Sequence, residues 1–272
     1  MPTLRRSAAL AAALCAFAAH AGLTITTEMK KKGKAGTLTM QFEGKNLRSE
    51  ITKDGSAEPA GAFVSDGDNK KILMIDYAKK EYHEITQEQM KRMKAKLEMA
   101  MATMKSQMAK LPPEQRKQME AVLGRQMNLS KAMATAPDEK YTRASGSKTI
   151  AGYKCDLYTV EVGGQHTADT CLIPWSDLKV DRDQFKQSVE AVTDVWSGMG
   201  MGGMGMAQKS PGAMLKAWGM SHGLPAWRKT VKADEDEVTE TTLKTITQGA
   251  IPRSAFDPPA GYTKAPDKLD KE

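Results

Sequence analysis

The chain has 272 residues, with 40 Lys and Arg against 33 Asp and Glu and a formal net charge of +7. A nucleic-acid-binding protein would need this basic surplus on one face, together with aromatic side chains for base stacking. The surplus is instead spread along the chain, so we predict no nucleic-acid partner. No repeat or linker divides the sequence, and we therefore expect a single domain.

The first 21 residues have the pattern of a cleaved export signal. Arg5 and Arg6 form a basic start, residues 7–18 are apolar, and an A-x-A cleavage pattern ends at Ala21. The apolar run is shorter than the roughly 20 residues that a membrane-spanning helix needs. We expect a soluble secreted protein, in the periplasm of a cell that has one, beginning near Gly22.

The leader also bears on lipid attachment and charge. Leu14 precedes Cys15, whereas a lipoprotein signal has a small residue there, so we expect no lipid anchor. Removal of the leader leaves 38 basic residues against 33 acidic ones, a net charge of +5. This surplus fits peripheral contact with an anionic membrane surface and equally fits a plain solvated surface. The sequence does not indicate an oligomeric state.

Alternating apolar residues predict a series of short strands before residue 86. The predicted strands are residues 23–29, 38–42, 47–51, 62–65, 72–77 and 81–85. The connections are too short for the crossover that parallel strands require, so neighbouring strands should be antiparallel. The D-G-D-N stretch at 66–69 lacks the further spaced acidic ligands of a calcium loop, and we interpret it as a plain turn.

Residues 87–133 predict a methionine-rich helical hairpin. Apolar side chains at helical spacing form one stripe on its first helix. The stripe consists of Met90, Met93, Leu97, Met101, Met104, Met108 and Leu111. Met99 falls nearly opposite the stripe and should be exposed. Thr86 and Gln89 predict a capping box at the helix start, and the proline pair at 112–113 should end the first helix and begin the second.

Two cysteines, Cys155 and Cys171, remain after the leader. Gly163 and Gly164 lie midway between them, so residues 153–162 and 167–173 predict a hairpin that places the cysteines directly across from one another. An oxidising compartment favours their pairing, and we expect a structural disulfide. A redox-active pair is the alternative, but the C-x-x-C spacing that lowers a thiol pKa is missing.

The remainder of the chain predicts one further helix, over residues 183–196, and a closing hairpin of residues 224–231 and 238–247. Residues 197–223 contain a run of alternating Met and Gly, which holds too much glycine for a helix and predicts a loop. The charged residues 264–272 predict a disordered tail.

Three motifs carry a resemblance to a known family. They are the D-G-D-N turn leading into I-L-M-I-D-Y, the later G-Y-K-C-D-L-Y hairpin, and the ending A-I-P-R-S-A-F-D-P-P-A-G-Y. Over residues 23–263 the chain resembles a family of uncharacterised periplasmic domains (domain of unknown function). That family is itself similar to the lipoprotein-carrier half-barrels of the outer-membrane localisation system. No functional residue of those carriers matches a position here.

The resemblance implies a curved, incompletely closed antiparallel sheet with helices over its concave face. Together with the predicted elements, it gives an α+β fold in one domain, residues 22–263. A half-barrel sheet would be covered by the Met-rich helical hairpin and one further helix, with an apolar space between the sheet and the helices.

Two common enzyme motifs are missing from the sequence. It contains no H-E-x-x-H or G-x-x-x-x-G-K pattern, and His83, His166 and His222 are isolated from one another in sequence. We predict a non-catalytic protein that needs no cofactor.

Binding of a hydrophobic ligand, a lipid or acyl chain, is the function that we predict. Methionine is unbranched and polarizable, so a surface rich in it accepts several apolar partners. The helix residues expected to line the site are Met90, Met93, Leu97, Met101, Met104 and Met108, and the sheet residues are Leu38, Met40 and Phe42. A closed core filled by these side chains is the alternative.

Two other functions stay open. Thioethers select Cu(I), so Met199, Met201, Met204 and Met206 of the Met-Gly run form a candidate soft-metal site. The groove could instead hold the apolar helix of a protein partner, as an envelope interaction or stress-sensing module.

Overall fold

The computed structural model describes residues 22–109, 112, 115, 139–178, 180, 182–198, 222–231 and 238–266. The predictions for the leader, the second helix of the hairpin, the Met-Gly run at 199–221 and the end of the tail lie outside these residues. Helices within the described ranges lack the length and apolar character needed to cross a membrane.

The described residues form a mostly β structure with helices. The strands are β1 (Leu23–Lys31), β2 (Lys34–Glu43), β3 (Asn46–Lys53), β4 (Pro59–Asp66), β5 (Lys71–Asp76), β6 (Glu81–Thr86), β7 (Glu139–Ile150), β8 (Tyr153–Val162), β9 (Gln165–Ile173), β10 (Leu224–Thr230), β11 (Thr239–Gln248) and β12 (Thr263–Lys264). The helices are α1 (Gln87–Ala109) and α2 (Arg182–Gly198), with short 3₁₀ helices at Trp175–Asp177 and Arg253–Phe256.

All twelve strands belong to one sheet, in the order β12-β6-β5-β4-β3-β2-β1-β11-β10-β9-β8-β7. Every neighbouring pair is antiparallel except β12 with β6. Strands β12 and β7 lie at opposite ends of this order, so the sheet is open. The predicted antiparallel arrangement of the first six strands is confirmed, and residues 67–70 form the turn predicted between β4 and β5.

Strand β7 is the main element that the sequence analysis does not predict. It lies at the end of the sheet, where most of its residues are exposed, so an apolar alternation is missing. A register shift between Arg143 and Ser147 interrupts the pattern further, and Gly146 has a φ of 101° in this bulge.

The main core lies between helix α2 and one face of the sheet. The ring of Phe185 meets that of Phe42 with centroids 5.0 Å apart, and Val189 and Val192 are buried in the same cluster. The Ser188 hydroxyl donates a hydrogen bond to the carbonyl of Gly44, next to the sheet. Phe185, Val189 and Val192 recur at helical spacing, and they form the face of α2 that packs on the sheet.

The opposite face of strands β3–β5 is covered by the segment that follows β11. Phe256 is fully buried against Val64 and Leu73. The Arg253 guanidinium contacts the buried Asp66 carboxylate at 2.7 Å. Burial raises the pKa of Asp66, but hydrogen bonds from Asn69 and Arg253 outweigh that effect and hold the pKa below its usual range.

The predicted disulfide is present, with the Cα atoms of Cys155 and Cys171 5.3 Å apart. The prediction that the two cysteines lie directly across from one another is wrong, because Cys171 is opposite Leu157. Val162 is opposite Gln165 and not Gly164, and a register shift after Val160 moves the pairing by one further residue. The pairing is therefore offset by two residues, and the bond joins diagonal neighbours. Both cysteines are buried in the main core, which fits a structural role.

The two ends of the strand group β7–β11 approach each other. Cα atoms of β7 and β11 come within 8 Å, although three strands lie between them and a flat sheet would separate them by about 19 Å. The Glu139 carboxylate of β7 also reaches the Arg228 guanidinium of β10 at 3.0 Å, with both side chains nearly buried.

Candidate functional site

Strands β2–β6 place their residues in three parallel rows on the face that α2 packs against. The pairing registers define each row, since residues directly opposite each other share a face. The inner row is Phe42, Leu47, Ser65, Ile72 and Ile85. The middle row is Met40, Ser49, Phe63, Met74 and His83. The outer row is Leu38, Ile51, Gly61, Asp76 and Glu81.

Burial falls steeply from the inner row to the other two. Phe42 and Ile72 are each 1% exposed, whereas Met74 of the middle row and Ile51 of the outer row are each 45% exposed. The middle and outer rows therefore form a partly uncovered surface that holds both apolar and polar side chains, which we call the open face.

Helix α1 begins at the edge of this open face. The predicted capping box is confirmed. The backbone N–H of Gln89 donates to the Thr86 hydroxyl at 3.2 Å, and the backbone N–H of Thr86 donates to the Gln89 side-chain oxygen at 2.8 Å. Strand β6 leads directly into α1, and the helix contacts this strand. Its Met93 packs beside Phe63 and Ile85 on the cluster formed by Ile72 and Val195.

The predicted stripe on α1 is described only in part. Met93, Met104 and Met108 are half-buried, and Met99 is 63% exposed, as predicted from its position opposite the stripe. The backbone at Met90, Leu97 and Met101 is helical, but their side chains lie outside what the structure describes, as does Leu111. The binding role of the stripe stays a prediction.

The three predicted sheet residues fall in different rows. Phe42 lies in the inner row, where the ring of Phe185 of α2 packs on it. Met40 is half-buried beside the main core, and Leu38 is half-buried in the outer row opposite Ile51. Sequence reasoning missed Ile51, Phe63 and Met74 as candidate site residues, because the pairing register decides which residues of separate strands lie side by side on one face.

A polar cavity of about 330 Å³ lies on the opposite face of the sheet. Its lining is Gln41, Arg48, Glu50, Ser254, Ala255, Asp257 and Pro259. The Arg48 guanidinium donates to the Glu50 carboxylate, the Tyr77 hydroxyl and the carbonyls of Ala255 and Asp257. These five hydrogen bonds use all of its donors. Burial, with donation to Glu50, raises the pKa of Tyr77 to about 12. Arg48 therefore fastens the carboxyl-terminal segment to the sheet.

The metal hypothesis concerned Met199, Met201, Met204 and Met206, which lie outside the described residues. Within the ranges that the structure describes, His, Cys, Asp and Glu side chains do not gather in groups of three as metal ligands. The hypothesis of a protein partner for the groove is likewise left as a prediction.

Residues 86–262 match the family described as Domain of unknown function (DUF4412). The chain belongs to this family. The resemblance to an uncharacterised domain family is thus confirmed. The match begins at the last residue of β6, so the rows of β2–β6 precede it, whereas α1 lies within it. No curated protein sequence matches the chain.

Solved structures similar to this DUF4412 protein share little sequence with it. An uncharacterised conserved protein from Thermus thermophilus aligns with a TM-score of 0.45 at 6% identity, covering 90% of each chain. MucB in the MucA/MucB complex of Pseudomonas aeruginosa aligns with a TM-score of 0.38 at 12% identity, covering 89% of this chain and 57% of the other. The further likeness to lipoprotein carriers stays a prediction.

Proposed function

We propose that this DUF4412 protein is a non-catalytic binding protein for a hydrophobic ligand, a lipid or acyl chain, held on the open face beside helix α1. The observation that carries this proposal is the difference in burial along one face. The inner row is closed by α2, while Met74 and Ile51, on the same face, are each 45% exposed.

The dimensions of the open face suit an acyl chain. Five strands from β2 to β6 span about 19 Å across the sheet. Each methylene removed from water contributes about 0.8 kcal/mol, and association itself costs several kcal/mol. We therefore expect affinity to rise with chain length, and short-chain acids to bind weakly.

The side chains around the open face can adapt to different chains. Met40, Met74 and Met93 border it from the sheet and from α1. Thioether side chains have three rotatable bonds and fill irregular gaps at low cost. A surface of this kind favours a class of apolar ligands over one rigid molecule.

The disulfide and the leader support a periplasmic location. A buried disulfide between Cys155 and Cys171 indicates an oxidising environment, and the pattern of residues 1–21 supports export to the periplasm. The approach of β7 to β11 supports the curved half-barrel form of the sheet.

Native mass spectrometry of the protein isolated from its own compartment tests the proposal directly. We expect an additional mass of one lipid or fatty acid that is lost on organic extraction. The extracted protein should then bind cis-parinaric acid, with an increase in the fluorescence of that probe.

Variants locate the binding to the open face. The pair Leu38→Ser and Ile51→Ser should abolish both the co-purified mass and the probe fluorescence, because it makes the outer row polar. Met99→Ser, on the exposed side of α1, is the matched control and should bind as the unchanged protein does. Equal binding by the double variant and the control would refute the proposed site.

A further inference from the structure

Met74 and His83 form a cross-strand pair at one end of the middle row. Met74 of β5 lies directly opposite His83 of β6, and such pairs on one face have Cβ atoms about 4.5–5.5 Å apart. A thioether and an imidazole on neighbouring strands can therefore reach one point above the sheet.

The imidazole of His83 is exposed, and in the part of the chain that the structure describes it has no hydrogen bond, ion pair or ring contact. The other two described histidines are engaged. The His166 ring lies 2.9 Å from the Asp169 carboxylate, and the His222 ring packs between Tyr141 and Tyr158 with centroids 5.2 and 5.7 Å away.

A second thioether borders the same patch. Met93 of α1 packs against the cluster of Ile72 and Val195. Ile72 is two residues from Met74 on the same face of β5 and lies directly opposite Ile85, which is two residues from His83 on β6, so Met93 lies at the row next to the pair.

We infer that Met74 and His83, with Met93 as a third ligand, bind one Cu(I) ion. Thioethers are soft ligands that select Cu(I), and imidazole also suits copper. Zn(II) is bound by thiolate, imidazole or carboxylate ligands instead. Asp76, the next residue of β5 on this face, carries such a carboxylate, but that carboxylate is already hydrogen-bonded and ion-paired with Lys79. This site is separate from the Met-Gly run. Met74 and Met93 also border the surface proposed for the apolar ligand, and Cu(I) binding does not require that ligand.

The test is a titration of Cu(I) under anaerobic conditions against the full-length protein in competition with bicinchoninate. Met199, Met201, Met204 and Met206 are changed to Ser in every sample, so that the Met-Gly run adds no thioether. We expect one equivalent of Cu(I) to be withdrawn from the chelator.

Single variants identify the ligands. Met74→Leu and His83→Asn should each weaken Cu(I) binding about tenfold or more, and Met93→Leu should weaken it less. Met99→Leu and His166→Asn are the matched controls and should leave the affinity unchanged. Met74 and His83 are exposed, so their variants should keep the thermal midpoint of the unchanged protein, which separates loss of a ligand from loss of the fold.

Ag(I), a redox-inert substitute for Cu(I), gives a second measurement by NMR. It should shift the methyl signal of Met74 and the ring signals of His83 together at one equivalent. Unchanged affinity in Met74→Leu or His83→Asn would overturn the inference, as would Zn(II) binding of equal strength that needs His83 but not Met74.

Discussion

Strands β2–β6 carry apolar side chains at both ends of one face, and the two ends differ in what lies over them. At the inner row, Phe42 and Ile72 are covered by α2 through Phe185 and Val195. Ile51, in the outer row, is as apolar as Ile72, yet it stays 45% exposed. The comparison shows that strand alternation selects which residues share a face, whereas the position of one helix decides which of them form the core and which remain free to bind.

Opening the covered end should have the largest effect on stability. Phe185→Ala removes the ring that packs on Phe42 and leaves a cavity beneath α2, so we expect the free energy of unfolding to fall by about 3–5 kcal/mol. Urea denaturation followed by circular dichroism measures this. A loss below about 1 kcal/mol would show that the inner row is not closed by α2.

Removing the Arg48 hydrogen bonds on the opposite face of the same strands should have the next largest effect on the free energy of unfolding. Arg48→Met leaves Glu50 and the carbonyls of Ala255 and Asp257 without their shared donor, and we expect a loss of about 3 kcal/mol. Lys79→Met removes only an exposed ion pair with Asp76 and serves as the control in the same denaturation experiment. Equal losses in the two variants would show that Arg48 does not fasten the carboxyl-terminal segment.

A smaller, pH-dependent effect should follow from Arg253→Gln. The Arg253 side chain is 43% exposed, so solvent screens its pair with Asp66 and we expect a loss of only about 1 kcal/mol at pH 7. The lowered pKa of Asp66 contributes stability above the unfolded value of about 3.9, and this is lost as the pH falls through the folded value. The unfolding free energies of the variant and the unchanged protein should therefore converge below about pH 4. A constant difference across the acid range would contradict this role.

The smallest effect on stability is expected at the open end. Ile51→Ala removes a side chain that is already half in water, so the free energy of unfolding should change by about 0.5 kcal/mol or less. Calorimetry of the lipid-free protein measures this. A loss as large as that of Phe185→Ala would mean that the outer row belongs to the core, and the comparison of the two ends would fail.

Much of the local structure can be predicted from the sequence because it depends on near neighbours in the chain. The capping box at Thr86 and Gln89 and the exposure of Met99 are as predicted. The helical spacing of Phe185, Val189 and Val192 likewise selected the residues that α2 buries. Strand β7 could not be predicted in the same way, because an exposed end strand with a bulge carries no apolar alternation.

The candidate site was only partly accessible from the sequence. The open face brings Ile51, Phe63 and Met74 together through the pairing registers of separate strands, and a register shift of one residue would turn each to the other face. The disulfide joins diagonal neighbours because the pairing at the turn and the register shift after Val160 together offset the strands by two residues, and that register shift had no signal in the sequence.

By itself, the sequence determined most of the strands and helices and which side chains each one presents on a face, since these properties depend on residues a few positions apart. The tertiary structure alone decided that α2 covers Phe42, that Met74 and His83 are opposite one another, and that the outer row stays exposed. Those outcomes depend on contacts between distant segments, whose geometry is set by packing and register.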